Sequence, residues 1–167
     1  LQGGDGDDSL TGGLGNDKVS FENGFNTNTT DATKKDSFDG GAGIDTIVLK
    51  NAQAIGTTFG SLVNVEQLEV SNTAGAGTID MDNFSGVDKV IYSKGVSTAT
   101  IADASNDITV KVVSSNGTLD VKLKTDTASD TVNVEIDEVT AANTIVALNA
   151  NEAETLNLTV NDNATVV

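Results

Sequence analysis

The chain contains no cysteine, no histidine, no proline and no tryptophan. Without cysteine no disulfide staples the fold, and the redox compartment leaves no mark on the sequence. Without cysteine or histidine, zinc sites of the usual kind and histidine-based catalysis are excluded. No stretch is long and apolar enough for a membrane-spanning helix, so membrane insertion is not expected. Basic residues are scarce: 9 Lys and Arg stand against 25 Asp and Glu, a net charge of −16. Binding phosphate needs the opposite balance, which excludes nucleic acid as a partner. The same surplus suits a protein that takes up divalent cations, because without them self-repulsion opposes compaction. There is no Gly-x-Ser-x-Gly either, and the expectation is that the chain is not an enzyme. The acidic pairs Glu152/Glu154 and Asp137/Glu138 have the look of a carboxylate dyad, but read more simply as solvated turn residues.

What is abundant is Thr, Asn, Asp, Val and Ala, a composition for strands and polar turns, not helices. At 167 residues the chain is one domain or one elongated repeat array. It begins at Leu1 without an initiator Met, and Leu1-Gln2 reads as the tail of an earlier repeat. The expectation is therefore a piece of a larger protein, with other regions of the parent chain as neighbours.

Three segments follow one nine-residue pattern, Gly-Gly-x-Gly-x-Asp-x-apolar-x. They are Gly3-Gly4-Asp5-Gly6-Asp7-Asp8-Ser9-Leu10-Thr11, then Gly12-Gly13-Leu14-Gly15-Asn16-Asp17-Lys18-Val19-Ser20, then Gly40-Gly41-Ala42-Gly43-Ile44-Asp45-Thr46-Ile47-Val48. This is the spacing of a calcium-binding parallel β-roll. The Gly-rich half turns tightly and points carbonyl oxygens inward, a backbone path that glycine reaches without steric cost. The Asp at the sixth position adds a carboxylate, so each turn is a hard-oxygen half-site suited to Ca²⁺. The last three residues form a short strand with one apolar side chain facing the core: Leu10, Val19 and Ile47. Two nonapeptides make one coil, with ions held between turns stacked on the same side. A flexible Gly/Asp linker has no need of an apolar residue at a fixed offset.

Between the second and third copies, counting in nines gives a degenerate copy at 21–29, with Gly24 and Asn26 at the fourth and sixth positions. One inserted residue follows, then a copy at 31–39 with Asp36 at the sixth position and Phe38 at the apolar one. Asp36 and Phe38 speak for coils that run through in register. Lys34 and Lys35 speak for a surface loop over 22–35 instead, and both readings stand. Asp45 then stacks on the side of Asp8 or of Asp17.

From Asn64 onward the Gly-Gly-x-Gly turns vanish and a 22-residue repeat takes over. One apolar column is Leu68, Val90, Val112, Val134 and Leu156; two residues on it reads Val70, Tyr92, Ser114, Ile136 and Leu158. Halfway between lies a second column, Ile79, Ile101, Leu123 and Ile145. Within strands the alternation has a period of two, as in Leu119, Val121, Leu123 and in Val132, Val134, Ile136. The fold expected is all-β: a right-handed parallel β-roll with calcium turns over 1–50, continuing into a parallel β-solenoid of 22-residue, two-strand coils over 51–167, packed as one elongated unit. The alternative is a β-sandwich after residue 60, which also spaces strands every 8–12 residues. In a solenoid each coil touches only its neighbours, so the roll acts as a folding seed or cap. Its one apolar residue per nine is too little to offset a chain entropy of about 1–2 kcal/mol per residue without ions.

The nonapeptides, the acidity and the lack of cysteine resemble the RTX class of bacterial exported proteins. That resemblance implies type I secretion machinery as a partner, secretion in an unfolded state, and folding on meeting calcium outside the cell. It assigns calcium ligands to Asp8, Asp17 and Asp45, with Asp36 from the degenerate copy, and to the carbonyls of Gly4, Gly6, Gly13, Gly15, Gly41 and Gly43; Asp5 and Asp7 are accessory or simply solvated. The remainder is similar to the strand repeats of Gram-negative surface-layer (S-layer) proteins. The residues concerned run from Asp36 to Leu49, with the strands Glu66-Gln67-Leu68-Glu69-Val70 and Glu154-Thr155-Leu156-Asn157-Leu158. This implies a structural segment at the extracellular cell surface, binding several Ca²⁺ and assembling with copies of itself into a lattice. A calcium-stabilised adhesin stalk and the calcium-binding secretion module of a larger exoprotein are the alternatives.

Overall fold

Alternating short strands and polar turns build a stack of parallel coils. The computed structural model describes residues 1–3, 7–21, 36–49, 61–71, 77–113, 117–137, 144–145, 147–161 and 165–166. One sheet of eight strands runs through it in the order β1 (Gln2–Gly3), β3 (Lys18–Phe21), β5 (Thr46–Leu49), β7 (Gln67–Val70), β9 (Lys89–Tyr92), β11 (Thr109–Val113), β13 (Thr131–Asp137) and β16 (Thr155–Val160). The intervening strands form a second wall in two parts. The first is β2 (Ser9–Leu14), β4 (Ser37–Ala42) and β6 (Ser61–Val63). The second is β8 (Gly77–Asp80), β10 (Thr98–Ala104), β12 (Thr118–Leu123) and β15 (Ala147–Asn149). A pair formed by β14 (Thr144–Ile145) and β17 (Thr165–Val166) stands apart from both. A single turn of 3-10 helix, Met81–Asn83, follows β8.

Every pairing among the described residues is parallel, and no two consecutive strands pair. A sandwich built from hairpins is thereby overturned for the part after residue 60, and the solenoid stands. Its core is a ladder of inward aliphatic side chains. Val19, Ile47, Leu68, Val90, Val110 and Val134 lie opposite one another in successive strands of the long sheet. All six are essentially sealed from solvent, none more than 1% exposed. The facing wall contributes Phe38, Ile79, Ile101, Leu119 and Val121. In β13 the alternation is complete: Val132, Val134 and Ile136 are buried, and the residues between them are half-exposed.

The even spacing of the repeat is corrected in one respect. Leu68 pairs with Val90 as the repeat requires, but Val90 pairs with Val110, two positions short of it, and Val110 pairs with Val134, two positions beyond it. Val112 therefore belongs beside Tyr92 and Ile136, in the place the repeat gave to Ser114, and Leu158 succeeds Val134 where the repeat gave Leu156. The second column shifts likewise: Ile101 pairs with Val121, not Leu123, and Ile145 leaves the column to pair with Val166. A slip of one residue would turn every side chain to the wrong face, whereas a slip of two preserves the inward set. The loops between coils absorb the difference, and the apolar columns are better filled than an unbroken repeat allows.

On the outer face of the long sheet, ion pairs cross from coil to coil. Lys18 meets Glu69, Lys89 meets Glu135 at 3.1 Å, and Lys111 meets Asp137 at 2.8 Å. Such solvent-accessible pairs contribute about 0–1 kcal/mol each, so they align the coils more than they bind them. Inside, the aliphatic ladder also encloses a phenol. Tyr92 is 1% exposed, and its hydroxyl has no hydrogen-bond partner among the described residues. Burial drives the phenol pKa far above its ordinary value, so the group stays neutral. Tyr92→Phe removes an unpaired buried hydroxyl and keeps the ring, so it is expected to raise stability by roughly 1 kcal/mol. The midpoint of denaturant unfolding reads this directly; a variant less stable than the parent would show that the hydroxyl has a partner.

Candidate cation turns

Strands β3 and β5 are each entered through a six-residue Gly-rich segment that ends in an acid. Residues 12–17 span the end of β2 and the link to β3, and residues 40–45 span the end of β4 and the link to β5. The two turns lie directly over one another, since Gly13 pairs with Gly41, Leu14 with Ala42 and Lys18 with Thr46. Asp45 thus stacks on the Asp17 side. Strand β3 is bonded directly to β5, so no further coil is interposed between the two acids. The degenerate copy at 21–29 falls almost wholly outside the described residues. Asp36 and Phe38 do hold the acidic and apolar positions of a repeat, but they stack on Asp8 and Leu10, whereas a count in nines through a half-coil at 21–29 puts them on the Asp17 side; that run-through register is corrected.

The acids stack through their own backbones. The Asp8 N–H donates to Asp36 Oδ1 at 2.9 Å, and the Asp17 N–H donates to Asp45 Oδ1 at 2.6 Å. Asp36 and Asp45 therefore each spend one carboxylate oxygen on the coil below. The second oxygens are another matter. Asp8 Oδ2, Asp17 Oδ2 and Asp45 Oδ2 are all buried without a hydrogen-bond partner among the described residues. Asp45 as a whole is 0% exposed. An ionised carboxylate oxygen in that situation costs several kcal/mol unless a positive charge meets it.

The glycines explain what surrounds these oxygens. A Cβ on Gly12 would stand 2.3 Å from the Gly40 carbonyl oxygen and 2.8 Å from Asp17 Oδ2. A Cβ on Gly41 would stand 2.2 Å from the Gly13 carbonyl oxygen, and one on Gly43 2.2 Å from that of Gly15. Carbonyl oxygens from one turn and carboxylate oxygens from the same stack thus crowd a space that only glycine leaves open. The carboxylate oxygens Asp17 Oδ2 and Asp45 Oδ2 have no donor among the described residues, and hard oxygens in number are the ligand set of Ca²⁺. The residues present fit that ion. Gly12 and Gly40, the first glycines of their repeats, were not among the residues singled out from spacing; their role shows only when one coil is laid on the next. Gly4, Asp5 and Gly6 lie outside the described residues, and Asp7 is exposed.

Elsewhere the same acid-before-strand position is satisfied by protein. Asp130, 1% exposed and immediately before β13, accepts from the Thr127 N–H at 2.5 Å and from the Thr127 hydroxyl at 2.7 Å. Glu152 and Glu154 are not merely solvated turn residues. Glu152 Oε2 accepts from the Leu123 N–H at 2.7 Å, and Glu154 Oε2 accepts from the Asp130 N–H at 2.8 Å. Both hold the backbone of a neighbouring coil. A further acidic group, Asp80, Asp82 and Asp103, has carboxylate oxygens within 4.8 Å of one another. Lys124 already answers it: its Nζ lies 2.5 Å from Asp82 Oδ1, and that hydrogen bond, with the charges of Asp82, Asp103 and Asp80, holds the ammonium pKa above its usual value.

Two glycine substitutions separate the roles of space and backbone. Gly40→Ala puts a methyl onto the Asn64 carbonyl oxygen, 2.0 Å from the new Cβ, and onto Asp45 Oδ2. It is expected to cost about 1–3 kcal/mol by overpacking and to raise the calcium concentration needed to order the roll. Gly13→Ala meets nothing within 4 Å and bears only the strain of a φ of 108°, roughly 1 kcal/mol. Calcium titrations of the two variants followed by circular dichroism should rank them in that order; equal midpoints would contradict the close stacking.

One comparison with known proteins bears on these turns. The sequence model for the RTX calcium-binding nonapeptide repeat matches residues 1–27 and 35–48, in 4 copies. No curated protein matches the chain, nor does any solved structure. The matched residues include the stacked turns at 12–17 and 40–45, whose Asp17 Oδ2 and Asp45 Oδ2 are buried with no partner among the described residues, and over this part the chain is similar to RTX calcium-binding repeats.

Proposed function

We propose that this chain is a structural segment of a calcium-dependent bacterial surface-layer protein. Its nonapeptide coils fold on binding Ca²⁺ outside the cell, and copies of the protein assemble into a lattice over the cell surface. The observation that carries the reading is the set of three buried carboxylate oxygens, on Asp8, Asp17 and Asp45, that have no donor among the described residues. In this reading Asp8, Asp17, Asp36 and Asp45 are ligands, with the carbonyls of Gly13, Gly15, Gly41 and Gly43 and, in the first turn, of Gly4 and Gly6. Asp5 and Asp7 add charge at the rim. Bound calcium supplies the positive charge that these oxygens lack.

Two features support the structural role. The parallel ladder continues from β1 to β16 in one sheet, a scaffold rather than a cleft. The net charge of −16 makes contacts between copies repulsive unless divalent cations bridge them. Export through type I machinery, as a region of a larger exoprotein, belongs to the same reading.

The test is calcium titration of the chain, followed by circular dichroism, light scattering and electron microscopy of the same sample. The expected result is a gain of β signal, then large particles with a regular lattice. A chain that stays monomeric, with a spectrum indifferent to calcium and chelator, would remove both the calcium and the lattice from the account. A gain of β signal without particles would keep the calcium module and discard the lattice.

A further inference from the structure

The repeat pattern ends at Val48, but the polar stack does not. Above the turn at 40–45 the next coil brings Asn64, Val65 and Glu66, a tripeptide in the place of the six-residue turns below. Nothing in it resembles Gly-Gly-x-Gly-x-Asp. Its geometry nevertheless repeats the junction beneath it. At the lower junction, Asp17 Oδ2 and the Gly40 carbonyl oxygen converge at 2.8 and 2.3 Å on the point a Gly12 Cβ would occupy. At the upper one, Asp45 Oδ2 and the Asn64 carbonyl oxygen converge at 2.6 and 2.0 Å on the point a Gly40 Cβ would occupy. The backbone hold is repeated as well. The Asp17 N–H donates to Asp45 Oδ1 at 2.6 Å, and the Asp45 N–H donates to Glu66 Oε2 at 2.8 Å.

We infer that the roll ends in a further Ca²⁺ site, formed by Asp45 Oδ2, the Asn64 carbonyl and the Glu66 carboxylate. The inference rests on the calcium reading of the turns below. Asn64 stands in for a turn glycine. Its φ of 53° is left-handed, a conformation that asparagine tolerates better than other non-glycine residues. This turns its carbonyl down onto the turn at 40–45. Its side-chain amide donates to Asp39 Oδ1 at 2.9 Å, and the same oxygen accepts from the Gly41 N–H at 3.1 Å. Asn64 is thereby fixed to the rim of the turn it covers. Glu66 stands in for the sixth-position Asp, with one more methylene to reach across the shorter turn. The sign that a cation belongs here is Asp45 Oδ2, buried and without a donor among the described residues. Two carboxylates and a carbonyl give the site charge and hard oxygens, which select calcium over softer ions.

The experiment is the number of calcium ions bound by the full chain, measured by equilibrium dialysis with radiocalcium, for the wild type, Glu66→Gln and Asn64→Gly. Glu66→Gln keeps an acceptor for the Asp45 N–H and loses the charge. Asn64→Gly keeps the carbonyl and the left-handed backbone. Glu66→Gln should bind one ion fewer, or hold one ion at least tenfold more weakly, while Asn64→Gly keeps the full number. A wild-type count and affinity in Glu66→Gln overturns the site. Should Glu66→Gln fail to fold, anomalous scattering from wild-type crystals grown in calcium decides. A peak roughly 2.4 Å from Asp45 Oδ2 and the Asn64 carbonyl oxygen supports the site, and its absence, with a peak present at the Gly12–Asp17 junction, overturns it. No ion bound anywhere in the wild type would sink the calcium reading of the turns, a failure distinct from that of this site alone.

Discussion

A buried carboxylate oxygen with no donor is the constraint on which the N-terminal coils turn. Asp17 Oδ2 and Asp45 Oδ2 face carbonyl oxygens, not N–H groups. Every other feature of the turns makes this crowding of acceptors possible. Glycine at 12 and 40 leaves room for it, and the register of β2 on β4 and β3 on β5 brings the turns into coincidence. The other oxygen of Asp45 is committed to the Asp17 backbone, which orients the first. Left to itself such an arrangement repels, and the apolar ladder beneath it is thin at β3 and β4, where Val19 and Phe38 are the buried apolar side chains among the described residues. A cation turns the same geometry from the weakest part of the stack into a cohesive one.

Moving along the ladder, the partner of the acid changes while its position persists. Asp17 and Asp45 precede β3 and β5, Glu66 precedes β7, Asp130 precedes β13 and Glu154 precedes β16. In the roll the second carboxylate oxygen has no donor among the described residues. At Asp130 it is met by Thr127. Meanwhile the core thickens: β11, β12 and β13 bury two or three aliphatic residues each, as Val132, Val134 and Ile136 show. The solenoid thus exchanges metal for hydrophobic burial and protein hydrogen bonds, coil by coil, without changing the direction or pairing of its strands. The Lys18–Glu69 pair crosses the boundary between the two regimes on the outer face.

The fold class was legible because both periods, the nonapeptide and the longer coil, are written in residue types that the structure uses directly: glycine where a carbonyl must pass, an apolar residue where a strand faces inward. The register was less so. Placing Val112 beside Val134 rather than beside Ile136 preserves parity, so the hydrophobic pattern cannot tell the two apart; only loop lengths decide. The direct stacking of Asp45 on Asp17 was hidden for the same kind of reason, since Asp36 and Phe38 fit a count in nines and the true coil alike. At the site, Asp17 and Asp45 stood out by spacing, whereas Gly12 and Gly40 matter through the coil above them. Asn64 and Glu66 share no motif with the turns they cover. The one signal they do share is an acid placed immediately before a strand, as in Glu66-Gln67, Asp88-Lys89 and Asp130-Thr131.

The account's central claim is that ions hold the roll while aliphatic packing holds the coils beyond it. Amide hydrogen exchange over the whole chain, in calcium and in chelator, tests it strand by strand. Protection in β3, β4 and β5 should fall sharply when calcium is removed, and protection in β9, β11 and β13 should persist. Equal protection in both conditions throughout β3 to β5 would contradict the claim, as would an equal loss in every strand.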